Sequence, residues 1–515
     1  MSWAVKARGA LTPRIWFTKK SGEEEEDTKN VQKVVVKSMD PNPKVEDGCW
    51  PELMEFCKAH IIECSAFLLF LLFGFFCILN AFGYLGPNEL KVRYSHYEQI
   101  VNEHCQFVEN RNLHGSEGQS DHPNATLISL LTVVRHGDRY GLIAEKKCQR
   151  LSNQETIEFD EYLERIKDQN LRNLLKVPKG LEEKELAPSK KECSPSGLTP
   201  RGAIQEFAMG KFLYNQYKAT SLFNSSSGAI NISLTFSNLQ RTYDSGVALI
   251  SGFLDQHQTI FMIPVELKEG SIYYGCTDSG CECNATMAVN LMARKERQGL
   301  FRLEAHERVQ QVAQKLLAEV NYTSLNIDPA DIIDNLVVRY GCPRKPFPCN
   351  EDYCASYLFF GDILEYFSKQ SEKLFDLDMG VERQYRVISA YPILRYVGLM
   401  AQNQIKEIQL FSSHDTIIGS LLRILTDSGK YNDWQLFAAR VVFEIYETPE
   451  KSRFLRVLHD GVDITSSIHF CTRLDHGLCP VADLQQFLQE RIFEMAGFKS
   501  FQDICKDSKN DFHFV

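Results

Sequence analysis

The sequence predicts an α/β fold: a central, mostly parallel sheet flanked by helices, with a smaller helical cap, preceded by one transmembrane helix. Three observations predict it. Short apolar or alternating runs at 127–134, 230–236 and 408–411 each give way to a few polar residues and then to helical spacing. Strand followed by helix, repeated, is the pattern of a parallel sheet. Second, 145–195 and 285–390 are rich in charge and helix formers and interrupt that pattern, as cap insertions do. Third, no charge occurs between Glu63 and Glu89.

Residues 1–63 mix both charges and include Glu23-Glu24-Glu25-Glu26-Asp27, the composition of a disordered cytoplasmic tail. Residues 64–86 are long enough as a helix to cross a hydrocarbon core of ~30 Å. A buried core helix of that length would carry a polar stripe, and a cleaved signal peptide would not follow so long a polar segment. Lys44 and Lys58 on one side balance Lys91 and Arg93 on the other, so flanking charge does not orient the anchor. Glycosylation sequons do: Asn124, Asn224, Asn231, Asn284 and Asn321 all follow it. Of 16 cysteines, Cys49, Cys57, Cys64 and Cys77 precede or lie within the anchor. The remaining twelve are compatible with six disulfides in an oxidising lumen. Cys276, Cys281 and Cys283 crowd one stretch, as do Cys342, Cys349 and Cys354, without the paired C-x-x-C or His partners of a zinc site. The expectation is a single-pass type II membrane protein. A polar stem spans 87–125, a lumenal body 126–505 and a short tail 506–515. The net charge of −10 argues against broad nucleic-acid binding.

Chemistry gathers where the strands end. Leu127–Val134 leads into Arg135-His136-Gly137-Asp138-Arg139; Ile230–Phe236 into Ser237, an expected N-cap, and Arg241; Ile408–Phe411 into His414-Asp415. Ligands of open α/β sheets bind at that edge. Arg-His-Gly alone also suits an exposed loop, and His-Asp alone a helix cap; their joint placement after strands is what points to one pocket. Arginine forks suit the oxygens of a phosphate monoester. Arg135, Arg139, Arg241 and a hydrogen bond from His414 would hold it. Neutral His136 would attack phosphorus, Gly137 would let the backbone approach closely, and Asp415 would protonate the leaving alcohol. No Walker loop, G-x-S-x-G elbow or H-E-x-x-H motif is present, and no metal or cofactor is expected.

These motifs, with Leu198-Thr199-Pro200-Arg201-Gly202 and Arg241-Thr242 between them, resemble the histidine acid phosphatase branch of the histidine phosphatase superfamily over about 126–505. The resemblance implies a helix-capped α/β sheet, His136 as nucleophile, Arg135, Arg139, Arg241 and His414 as phosphate ligands, and Asp415 as proton donor. Tyr140, the segments Phe437–Glu444 and Asp460–Thr465, and the anchor resemble more closely the Golgi members that remove the 2-phosphate of xylose in the proteoglycan linkage region. That likeness implies a phosphorylated sugar as partner and a Golgi membrane as location. A broad acid phosphatase and an inositol-phosphate phosphatase are the alternatives within the class. An inactive phosphosugar-binding or adhesion ectodomain is the alternative outside it.

Overall fold

The computed structural model describes residues 86–506 except 112, 142–147, 177–185, 191, 224–230, 255–264, 271–282, 284, 305–328, 350–353, 378–379, 403–406 and 430–433. The expected tail, all but the last residue of the expected anchor, and Asn224, Asn284 and Asn321 lie outside the described residues. Among the described residues no helix is long and apolar enough to cross a membrane.

Alternation builds the sheet. In β1 (Thr126–Arg135), Leu131 and Val133 enter one apolar cluster, while Leu130 and Val134 enter another. Side chains two apart share a face, so this strand is buried on both sides, as its unbroken apolar run requires. β2 (Leu175–Lys176), β3 (Asn231–Ser237), β4 (Val265–Gly270) and β5 (Glu407–Ser413) join it in the order β2-β4-β3-β5-β1, all parallel. Beyond β1 the chain turns back. β6 (Arg440–Glu447) pairs with β1, β7 (Arg453–His459) with β6, and β8 (Val462–Asp463) and β9 (Cys479–Pro480) with β7, all antiparallel. The sheet is therefore mixed, which corrects the mostly parallel expectation. Only residues 448–452 connect β6 to β7, too few for the crossover that a parallel pair needs.

The helices are α1 (Gly86–His104), α2 (Asn153–Lys167), α3 (Gln169–Leu174), α4 (Pro200–Tyr217), α5 (Gln240–Phe253) and α6 (Thr286–Glu304). There follow α7 (Pro329–Leu336), α8 (Tyr357–Asp376), α9 (Val381–Gln402), α10 (Asp415–Thr426), α11 (Val481–Gln486) and α12 (Phe501–Lys506). Residues of α4 and α5 pack with one face of the sheet, those of α9 and α10 with the other. The insertion expected over 285–390 thus ends inside a helix that covers the sheet, because α9 buries Val387, Ile388 and Leu394 there.

A polar stem over 87–125 is not what the chain forms. Tyr97 and Val101 of α1 pack with Ile333 of α7 and Phe360 of α8 in a separate cap cluster. Cys105 is bonded to Cys342, and Glu117 is buried against Arg440 at 2.6 Å. The apolar residues of this stretch are few but lie one helical turn apart, which suffices for a docking face. Four further disulfides join Cys148 to Cys193, Cys283 to Cys505, Cys349 to Cys354 and Cys471 to Cys479. Proximity in sequence misleads here: Cys283 and Cys342 each leave their local cluster for a partner more than 200 residues away.

Candidate active site

Parallel pairing of β1 with β5 sets the site. Arg135 lies opposite Ser413, so the next residues, His136 and His414, leave the sheet side by side. The His136 amide donates to the Ser413 carbonyl at 2.9 Å, and the two imidazoles stand edge to face with centroids 5.4 Å apart. β3 ends at the same level, with Phe236 opposite Ser412, and Arg241 follows in the first turn of α5. The structure thus brings the six expected side chains to one sheet edge.

The loop after β1 is gripped from α4. Thr199 caps that helix by accepting from the Gly202 amide, and its own amide and hydroxyl donate to the Asp138 carbonyl. A Cβ on Gly137 would meet the Gly202 carbonyl oxygen at 2.3 Å. The close approach that needs glycine is therefore to a helix, which corrects its expected role toward the ester. Ser237 is likewise not an N-cap; Leu239 holds that place without a side-chain bond. The Ser237 hydroxyl instead lies 2.9 Å from His414 Nε2 and 2.8 Å from the Thr242 hydroxyl, which orients the second imidazole.

Protonation follows from these partners. His136 Nδ1 lies 2.9 Å from the Gly137 carbonyl oxygen. A carbonyl only accepts, so Nδ1 carries the hydrogen and Nε2 keeps its lone pair. Burial, then the charges of Arg241, Arg135, His414 and Arg139, hold His136 well below the ordinary imidazole value. Burial and Arg241 bring His414 down to about 3. Burial also pushes Arg241 down to about 10, helped by Arg139. The Nε atoms of Arg135, Arg139 and Arg241 are buried without a hydrogen-bond partner, as suits donors awaiting an oxyanion. Burial would raise the Asp415 carboxyl, but Arg135 at 2.9 Å, with His414 and Arg139, outweighs it and holds the group below its usual range. An ester phosphate that takes over Arg135 would release that hold and let Asp415 carry a proton.

Several neighbours were not foreseen from sequence. Asp334 of α7 binds Arg139 at 2.6 Å. His104, at the end of α1, lies 3.2 Å from Arg135 Nη1. Guanidinium donates, so this Nε2 accepts; burial and Arg135 keep the ring neutral. Trp434 stacks on His104 at 3.7 Å, and Phe437 lies under the Arg135 guanidinium at 4.4 Å. Tyr97, Val101 and His104 recur at helical spacing, the one signal that marked this face. Most of 437–444 and 460–465 serves the antiparallel half of the sheet instead: Arg440 binds Glu117, and Arg456 binds Glu444 and Asp463.

Because His136 and His414 are depressed in the folded chain, both stay neutral as pH falls below 6.5, the ordinary imidazole value. Turnover should therefore persist at pH 5. Stability runs the other way: groups that resist protonation when folded but accept it when unfolded lose stabilisation as pH falls below 6.5. Melting temperature should drop from pH 7 to 5 while kcat/KM holds. A collapse of kcat/KM with an apparent pKa near 6.5 would show a titrating nucleophile.

The sequence model of the histidine phosphatase superfamily (branch 2) matches residues 126–460. The chain is similar to 2-phosphoxylose phosphatase 1 of Xenopus tropicalis, 24% identical over 409 residues, covering 74% of this chain and 78% of that protein. It is also similar to that of Homo sapiens, 26% identical over 418 residues, covering 76% and 83%. Among solved structures, it is similar to the phytase from D. castellii, at 17% identity and a TM-score of 0.41 over 77% of this chain and 88% of that one. It is similar too to the Bifidobacterium longum multiple inositol polyphosphate phosphatase complexed with inositol hexasulfate, at 13% and 0.44 over 73% and 97%. With the matched residues spanning most of the body and both ends of the site, the chain belongs to the histidine phosphatase superfamily, branch 2, and is a phosphoric monoester hydrolase.

Proposed function

We propose that the chain hydrolyses a sugar phosphate through a phosphohistidine on His136, and that the ester is the 2-phosphate of xylose in the glycosaminoglycan–protein linkage region. One observation carries the chemistry: His136 presents an unprotonated Nε2 among three arginines whose Nε donors lack partners. In the first step Nε2 bonds to phosphorus as the ester P–O bond breaks, and the departing alkoxide takes the proton of Asp415. Water then attacks the phosphohistidine, gives its proton to the Asp415 carboxylate, and inorganic phosphate leaves with Nε2 restored. Arg135, Arg139, Arg241 and His414 stabilise the equatorial oxygens throughout.

For the substrate, the support is the likeness to 2-phosphoxylose phosphatase 1 over about three-quarters of the chain. Comparing a phosphoxylose linkage oligosaccharide, inositol phosphates and an aryl phosphate tests it. The oligosaccharide should have the highest kcat/KM; preference for inositol phosphates would overturn the assignment, and equal rates would indicate broad specificity.

The same reading includes a type II Golgi anchor over 64–86, a lumenal body, and glycans on Asn124, Asn224, Asn231, Asn284 and Asn321. Five disulfides among the described cysteines suit an oxidising compartment, and Asn124 and Asn231 are exposed. Protease added to sealed microsomes should spare the body, and glycosidase should lower its mass. Digestion of the body would reverse the topology.

A further inference from the structure

Next to the phosphate site lies a cavity of about 340 Å³, walled in part by Arg139, Arg294, Arg297 and Arg386. Such a wall looks suited to a polyanion, but all four arginines are already engaged by three carboxylates. Arg139 binds Asp334 at 2.6 Å and Arg294 binds Asp331 at 2.7 Å. Arg297 and Arg386 share Glu382, each within 2.8 Å. Asp331 and Asp334 stand one turn apart on α7, line the cavity, and keep 19% and 23% of their side-chain surface exposed. The one guanidinium charge left over, shared by Arg297 and Arg386 around Glu382, is buried, so a further phosphate entering here would meet the two part-exposed carboxylates first. A ring hydroxyl would find acceptor-only oxygens beside the aromatic surface of Trp434 and Phe367.

We propose that Asp331 and Asp334 determine substrate class: they admit a polyhydroxylated ring bearing a single phosphate and exclude esters bearing several. The inference rests on the proposed phosphatase reading for its placement of the first phosphate at His136. It does not rest on xylose as the sugar.

Calorimetry on the full chain carrying His136→Ala, which turns over neither ligand, should show a pentose monophosphate binding at least about tenfold more tightly than inositol hexakisphosphate, the scale of one or two charge contacts. Adding Asp331→Asn and Asp334→Asn should reverse that order by strengthening the polyphosphate far more than the monophosphate, whose one phosphate gains only the freed Arg139 while its hydroxyls lose two carboxylate acceptors. Equal or tighter polyphosphate binding before those changes overturns the inference, as does an unchanged ratio after them. If the combined variant does not fold, Asp331→Asn alone must move the ratio in the same direction, and no movement counts against the proposal. Should the unaltered chain form no phosphohistidine while this binding order holds, the proposed step at His136 fails and the discrimination by Asp331 and Asp334 stands.

Discussion

Replacing His136 with alanine is expected to abolish phosphate release from every ester, by about 10⁴-fold or more, because the variant lacks the atom that accepts the phosphoryl group in the proposed mechanism. The fold should survive. His136 sits at the end of β1 and its backbone bond to Ser413 does not depend on the side chain. Rapid alkaline quench of the unaltered chain with labelled substrate should trap phosphate on a base-stable, acid-labile N–P bond at His136. Retention of substantial turnover by His136→Ala would remove the phosphohistidine scheme. Turnover by the unaltered chain, with a variant that still binds phosphate but releases no product, would exclude the alternative in which the pocket binds sugar phosphates without chemistry.

Asp415→Asn should divide substrates by leaving group. A sugar alkoxide is a strong base and leaves slowly without a proton, whereas a nitrophenolate leaves readily. The variant should lose about 10²–10⁴-fold on a sugar phosphate, the usual range of general-acid help, and far less on an aryl phosphate, provided transfer to His136 limits both. A complication has a definite sign. Asp415 binds Arg135 at 2.9 Å, so the amide also frees that guanidinium for phosphate and should lower KM for both esters. Equal losses in kcat on the two substrates would mean that another group supplies the proton. Arg241→Ala should harm both alike, since its charge acts on the shared phosphoryl group.

Much of this was legible in the chain itself. Residues 127–134 are apolar without interruption because β1 is covered on both faces, and that composition determines a buried strand wherever it lies. The polar residues that follow each strand could be assigned to one edge because parallel strands end on the same side. Arginine flanking histidine determined the phosphate chemistry, which depends on donor type more than on exact position. The reverse half of the sheet was not legible, since β6 and β7 are as apolar as parallel strands and differ only in the length of their connection. Nor was the folded state of 87–125, whose stability comes from partners in α7, α8 and β6 that no local pattern announces.

What the sequence by itself determined, then, is which groups the proposed mechanism draws on: His136 to attack, arginines to hold phosphate, Asp415 for the proton. Only the tertiary structure decided their states and their surroundings. A carbonyl from Gly137 selects the free nitrogen of His136, the Ser237 hydroxyl orients His414, and His104 reaches Arg135 from a segment that reads as a stem. Asp331 and Asp334 are ordinary helix-surface acids until α7 is laid over the pocket. Protonation and charge compensation depend on distances of a few ångströms between residues far apart in the chain, and such distances exist only once the chain has folded.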